Sequence, residues 1–369
     1  MDVLRTHPRN AEAAGGAHLR APQRAALTCI LALLVLLLLA AEAQAYGPGQ
    51  LIYAKRIGSS TSEATSVAVA AAPNGATVIA GWKESSAVPA GIVTIVAKYT
   101  VTGKRAWLKT YAAIGRGAEA VACDRSGNVY VAGWSEYDVS GTLTNSAITI
   151  KFGATDGVKK WGQVYKAQHN PGSYADHMTL AGSTVVITGS TERSVDNERD
   201  ALIVKYSLSG TEKYWMEWGV DDGHGEFFSE VVLDGKGKAF VTGDQWLVRG
   251  TGTGKAITMK LNATLSKVVW KKPYQPAGRY ATGSYIARDG LGNLYVSGVR
   301  QTFAGDTDVL TMKYSPSGVR KWLKGWYGGG PHHDEPWGLA LGTMGGVHIT
   351  GEANASGDYG QAVLLKYQR

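Results

Sequence analysis

Three short stretches gather the side chains best suited to chemistry. QHNPGSYADH (168–177) carries His169, Asp176 and His177. VDDGHGE (220–226) carries Asp222, His224 and Glu226, and PHHDEPW (331–337) carries His332, His333, Asp334 and Glu335. Imidazoles and carboxylates held close together repel or compete for protons unless something neutralises them. A divalent cation does this, and a mixed His/carboxylate set suits zinc, manganese or a similar ion. The candidate metal ligands are therefore His169, His177, Asp222, His224, His332, His333 and Asp334. Asp176, Glu226 and Glu335, with Arg116 and Arg279 from comparable segments, are candidates for holding a polar ligand. The plain alternative is a set of solvated polar loops. A divalent metal ion is the cofactor these residues point to, and Arg116 and Arg279 could also meet the carboxylates of a quinone cofactor; the cofactor is otherwise unknown.

Other chemistries lack their motifs. There is no HExxH pair, no Gly-x-Ser-x-Gly elbow, and no Cys/His pair at a recognised spacing. GTGTG at 250–254 lies between strands, with no helix after it to present its N-terminus to a phosphate.

The elements that must position these groups are visible as a repeat. NGATVIAG ends at Gly81, GNVYVAG at Gly133, STVVITG at Gly189, KAFVTG at Gly243, GNLYVSG at Gly298 and GVHITG at Gly351. The intervals between these glycines are nearly constant. A lysine follows in every copy: Lys98, Lys151, Lys205, Lys260, Lys313 and Lys366. An aromatic comes shortly after the lysine: Trp107, Trp161, Trp215, Trp270 and Trp322. The tryptophans are expected to fill the gap to the next unit. The lysines are expected to lay their stems along the sheet edge and reach a carbonyl or a turn carboxylate.

Each copy reads as four strands. In the second they are AEAVACD, NVYVAGW, SAITIKF and KKWGQVY, joined by DRSGN and ATDG turns. The Asp-x-x-Gly-Asn turns are hairpin chemistry; no ligand series follows them at calcium-loop spacing. The strands are almost continuously apolar, as in sheets covered on both faces. The expected fold is all-β, a six-bladed propeller of four-stranded antiparallel blades over 46–369. The sixth copy ends at Arg369 without its fourth strand, and QLIYAKRIG (50–58) precedes the first. Tyr53 lies one repeat interval before Trp107, so this segment is expected to supply the missing strand and close the ring. The long, dissimilar segments, such as WSEYDVSGTLTN and STERSVDNERD, fall on one face with the crossovers. That is where function concentrates on a rigid scaffold.

GNLYVSG…GDTDVLTMKYSPSGVRKW…YGGG (Gly292 to Gly330) resembles the bacterial SBBP-type β-propeller repeat. That pattern is Asp-x-x-Gly-Asn-x-Tyr-Val-x-Gly, then Asp-apolar-x-x-Lys, a Ser/Pro-Gly turn and an aromatic strand. The resemblance covers residues 50–369 and is closest in copies two and five. It implies the propeller fold and an exported protein, and it implies no defined activity. The turn Asp is present as Asp124, Asp234 and Asp289 and replaced by Ala72, Ala181 and Gly342 elsewhere.

The N-terminus reads as a separate element. AALTCILALLVLLLLAA (25–41) is an unbroken apolar run, preceded by Arg5, Arg9, Arg20 and Arg24 and followed by Ala43-Gln44-Ala45. This is the anatomy of a cleaved secretory signal over 1–45, against an uncleaved anchor of minimal spanning length. Cys123 is then the sole thiol, in an apolar strand, where an inert buried sulfur is expected. The net charge of +8 is spread at repeat intervals with no basic run, which argues against nucleic acid. These readings together describe a secreted, periplasmic or cell-surface monomer, free of the membrane after cleavage, that binds an extracellular ligand or protein. An exported enzyme is the alternative, either a lyase or hydrolase or one resembling a quinoprotein sugar dehydrogenase. A purely structural surface module is the third reading.

Overall fold

The computed structural model describes residues 53–55, 57, 63–85, 92–111, 117–139, 142–167, 172–192, 198–219, 224–247, 253–329, 333–353 and 360–369. The chain divides after Ala54, and every sheet belongs to the unit Lys55–Arg369. The described residues form 23 strands and no helix.

The first sheet comprises β1 (Ala64–Ala71), β2 (Thr77–Glu84), β3 (Ile92–Tyr99) and β4 (Arg105–Tyr111). The second comprises β5 (Gly117–Cys123), β6 (Val129–Val139), β7 (Thr142–Phe152) and β8 (Lys159–Val164). The third holds β9 (Ser173–Ala181), β10 (Thr184–Glu192), β11 (Arg199–Ser207) and β12 (Glu212–Trp218). The fourth holds β13 (His224–Leu233), β14 (Ala239–Leu247), β15 (Gly254–Leu261) and β16 (Val268–Tyr274). The fifth holds β17 (Tyr285–Arg288), β18 (Leu294–Gln301), β19 (Thr307–Tyr314) and β20 (Arg320–Trp326). The sixth has β21 (Glu335–Leu341), β22 (Gly346–Ala353) and β23 (Gln361–Gln368). Each sheet is an antiparallel meander in sequence order. The four strands read for the second repeat are recovered. WSEYDVSGTLTN, however, continues the β6–β7 hairpin as far as Val139↔Thr142 rather than looping. Antiparallel partners keep pairing outward while their register holds.

The repeat glycine has a steric cause. In β5, Ala118 pairs with Gly133 and Ala120 with Ala132, so Glu119 is bulged out. The first strands of successive sheets pack against one another and are the innermost. The bulge carries one of them, β5, across the face of Gly133, and a Cβ there would land on the carbonyl oxygen of Gly117. Equivalent carbonyls, from Thr65, Tyr174, Phe227, Thr282 and Glu335, stand over Gly81, Gly189, Gly243, Gly298 and Gly351.

Successive sheets are joined by the other two markers. Trp107 lies over Gly157, in the third-to-fourth-strand turn of the next sheet, and donates its indole N–H to the Ala154 carbonyl at 3.3 Å. Trp161 lies over Gly210 and donates to the Leu208 carbonyl at 3.0 Å. These turn glycines have positive φ, +61° and +91°. The fourth sheet puts Leu265 (φ 55°) in its corresponding turn, the sole positive-φ non-glycine among the described residues, and buries it. The lysines also reach across. Lys98 Nζ donates to the carbonyls of Gly127 (2.8 Å) and Ala154 (2.9 Å). Lys151 donates to Leu208 (3.0 Å), and Lys205 to Gly237 (2.7 Å) and Ala263 (2.9 Å). Each of these lysines thus binds the turns of the following sheet, and Lys151 also stands 3.8 Å from the Asp124 carboxylate.

Five core clusters follow from this stacking, joining sheets one to two, two to three, three to four, four to five and five to six. Among the described residues, none of them joins six to one. The sixth sheet shows three strands, and Tyr53, Ala54, Lys55 and Ile57 lie in no strand. The other residues of the expected closing strand 50–58 lie outside the described residues. The flanks there are exposed: Val69 is 69% and Leu364 67% accessible.

Candidate functional site

In five of the six sheets the bulge that accompanies the repeat glycine also aims one side chain away from the ladder. At this level the innermost strands carry Val67, Glu119, Asp176, Ser229 and Trp337. Glu119 and Asp176 are neighbouring carboxylates. Burial pushes Glu119 above its ordinary range, although the Trp134 indole donates to it. Burial, then the charge of Glu119, pushes Asp176 up to about 6, with Arg199 opposing. The Asp176 side chain is nonetheless exposed to solvent.

The next residues extend the belt. His177 Nε2 stands 3.3 Å from Glu230 Oε1, so β9 and β13 meet through an imidazole–carboxylate contact. Glu230 Oε2 accepts the Ile286 backbone N–H at 2.5 Å, which ties in β17. Burial, then Glu230 and Glu335, raises the Tyr285 hydroxyl. Acidic groups thus stand on the innermost strands of sheets two, three, four and six, and two of them act on Tyr285 of the fifth.

An aromatic and polar shelf flanks this belt between sheets two and three. The Trp134 and Tyr174 rings meet edge-on at 5.8 Å. The Asn145 amide donates to the Tyr174 hydroxyl at 2.6 Å, and that hydroxyl donates to Glu192 Oε1 at 2.6 Å. The Arg199 guanidinium lies 4.6 Å over the Tyr174 ring and 3.5 Å from Glu192.

The residues singled out from sequence are dispersed among these features. Asp176 and His177 sit in the belt. Arg116, His169, Asp222 and His332 lie outside the described residues, and of His224 only the backbone is described. Glu226 is fully buried and accepts a hydrogen bond from the Gln245 amide at 2.9 Å. Arg279 stacks on Phe303, 3.3 Å from the ring centre. His333 Nδ1 stands 3.2 Å from the Thr307 hydroxyl. Asp334 is buried and accepts the Gly328 N–H at 2.6 Å. Glu335 is exposed at the start of β21 and acts on Tyr280 and Tyr285. Among the described residues no three His, Cys, Asp or Glu side chains come together to hold a metal ion. Arg279, Glu226 and Asp334 already serve local packing and hydrogen bonding.

Sequence reasoning missed Glu119, Glu230, Trp134, Tyr174, Glu192 and Arg199. A signal was present for two. Glu119 precedes Gly133, and Glu230 precedes Gly243, in almost the frame in which Asp176 precedes Gly189.

No family model matches the chain, and no curated protein does. Solved structures resemble it at low identity. Quinohemoprotein alcohol dehydrogenase from Comamonas testosteroni is 14% identical with a TM-score of 0.49, over 78% of this chain and 52% of that one. The β-propeller domain of the Trilobed protease from Pyrococcus furiosus is 8% identical with a TM-score of 0.40, over 83% and 95%. A subtype N11 neuraminidase-like protein of A/flat-faced bat/Peru/033/2010 is 10% identical with a TM-score of 0.43, over 81% and 86%. This chain spans about half the length of the Comamonas enzyme. At these values the likeness assigns no activity, and the functional reading rests on this chain's own residues.

Proposed function

We propose that this chain is an exported β-propeller binding module that holds a polar ligand on the acidic belt of its innermost strands. The observation that carries the reading is the run of Glu119, Asp176, His177, Glu230 and Glu335 along those strands, beside the Trp134–Tyr174–Arg199 shelf. Carboxylates there accept hydrogen bonds and attract positive charge, and the rings offer an apolar face. A hydroxyl-rich or cationic ligand suits that combination. The test is calorimetric titration of the mature chain with neutral oligosaccharides and with polyamines. One class should bind, and Glu119→Gln/Asp176→Asn should weaken it at least about tenfold, the loss of one charge-assisted hydrogen bond. Equal affinity in the double variant, or binding of neither class, removes the reading.

The enzyme alternative has one observation in its favour. Glu119 and Asp176 are neighbouring carboxylates, both raised, which is the electrostatic pattern of an acid/base pair. Turnover of a bound oligosaccharide, lost in either single variant, would move the assignment from binding module to hydrolase or lyase.

Two structural expectations belong to this reading. Residues 50–58 complete the sixth sheet and bring it against the first, which would cover the exposed Val69 and Leu364 flanks. A chain lacking residues 46–58 that melted at the same temperature would refute this. Residues 1–45 are removed on export as a signal, and secreted material should begin at Tyr46. The same N-terminal sequencing would report an uncleaved anchor.

A further inference from the structure

One lysine of the repeat series, Lys205, lines a cavity. Between the third and fourth sheets lies a cavity of about 490 Å³, lined by Gly182, Ser183, Lys205, Asp234, Lys236 and Ala263, among others. Its origin is a turn length. The first two strands of sheets one, two, four and five are joined by five-residue turns, as in 124–128 or 234–238. In the third sheet only Gly182 and Ser183 intervene between β9 and β10. The shortened turn leaves the space.

Lys205 is 3% exposed and lines this cavity. Two of its four tetrahedral positions point at the carbonyls of Gly237 and Ala263, and a third is its own Cε. The fourth carries a proton in the ammonium form and the lone pair in the neutral amine. Burial pushes this lysine down to about 8, with Asp234 opposing. Near neutral pH its neutral fraction is then roughly two to three hundredfold that of an ordinary lysine. A desolvated, reactive amine of this kind is a carbonyl nucleophile. The other charged groups on the wall are Asp234 and Lys236. Asp234 Oδ1 is occupied by the backbone N–H groups of Lys236 and Lys238 (both 2.9 Å).

We propose that this cavity is a covalent capture site in which the Lys205 amine condenses with a small aldehyde or ketone bearing an anionic group. The nitrogen lone pair attacks the carbonyl carbon. The resulting carbinolamine takes up a proton, loses its hydroxyl as water and gives up the remaining N–H proton, leaving an imine. No redox partner is needed, and the Lys236 ammonium favours the anionic substituent.

The probe is glyoxylate, added to the mature chain at neutral pH, with borohydride to reduce any imine to carboxymethyl-lysine and peptide mapping to locate it. Lys205 should be modified at least about tenfold faster than Lys98, which makes the same pair of carbonyl contacts, and faster than exposed lysines such as Lys236. In Lys205→Arg, which keeps a cation on both carbonyls, the labelled peptide should disappear while the remaining pattern persists. Modification of Lys205 no faster than of Lys98, or labelling confined to exposed lysines, would overturn the proposal. The comparison within the wild-type chain stands whether or not the variant folds.

Discussion

The interface between sheets one and two and that between sheets three and four are built from the same parts. In both, a lysine donates to two carbonyls of the following sheet, Gly127 and Ala154 for Lys98, Gly237 and Ala263 for Lys205. At the first interface Trp107 packs over the glycine of the next turn and shares the Ala154 carbonyl. At the second, Trp215 is 37% exposed, Leu265 takes the strained turn position, and a cavity opens beside the lysine. The difference lies in the short β9–β10 turn and not in the staple. A repeat can keep its structural signature and acquire a chemically distinct site by shortening one loop.

The largest expected effect tests what the two interfaces share. Gly133→Val and Gly189→Val each place a Cβ on an innermost-strand carbonyl, and neither backbone can withdraw without breaking its ladder. Both should cost more than about 4 kcal/mol or abolish folding, seen as loss of the cooperative unfolding transition. Tolerance at either position would mean that the bulge is not what fixes this glycine.

The staples come next. Lys98→Met strands two carbonyls beside a buried lysine position and should cost about 2–4 kcal/mol in urea unfolding. Lys205→Met strands the same pair beside a cavity that admits water, so its cost should be about 1 kcal/mol smaller. Equal costs would erase the contrast between the interfaces.

Replacing Gly182-Ser183 by Asp-Arg-Ser-Gly-Asn, the turn of the second sheet, should restore the missing residues. Filling the space should stabilise by about 1 kcal/mol and slow carbonyl labelling of Lys205. Unchanged labelling would place the route to the amine elsewhere.

The smallest effect lies in the acidic belt of the same third sheet. Asp176 is raised from 3.8 to about 6 by burial and Glu119. A carboxyl raised on folding supports the fold below its unfolded value and loses that support as pH climbs from about 4 through 6. Asp176→Asn should therefore gain on wild type across that window. The gain should be under about 1 kcal/mol, since the group is reached by solvent. A difference that did not vary with pH would put Asp176 outside the belt.

Much of this was legible beforehand because it is periodic and local. The glycine, lysine and tryptophan of each copy meet the same backbone once per sheet, so their register recurs at near-constant spacing from Gly81 to Gly351. The Asp124 turn was likewise readable as local chemistry. Its carboxylate accepts Ser126 N–H (3.0 Å), Asn128 N–H (2.9 Å) and the Tyr130 hydroxyl (3.0 Å), all close by in the chain. Cys123 lies in β5 and is half-buried rather than fully buried, with burial first among the causes pushing its thiol up to about 11.

What the sequence could not decide is where non-local partners fall. It grouped His177, Asp334 and Glu226 by loop. The fold sends His177 to Glu230 of the next sheet, and sends Asp334 to the Gly328 N–H and Glu226 to the Gln245 amide. It also gave no sign that Lys205 differs from Lys98. Both sit in the same apolar-Lys-Tyr frame, and the cavity that separates them depends on the Gly182-Ser183 turn, one hairpin upstream of Lys205. Local spacing determines strands, turns and bulges, because each is set by contacts between near neighbours in the chain. Solvent access and charge environment are set by what packs from the neighbouring sheet, and only the tertiary structure decides that.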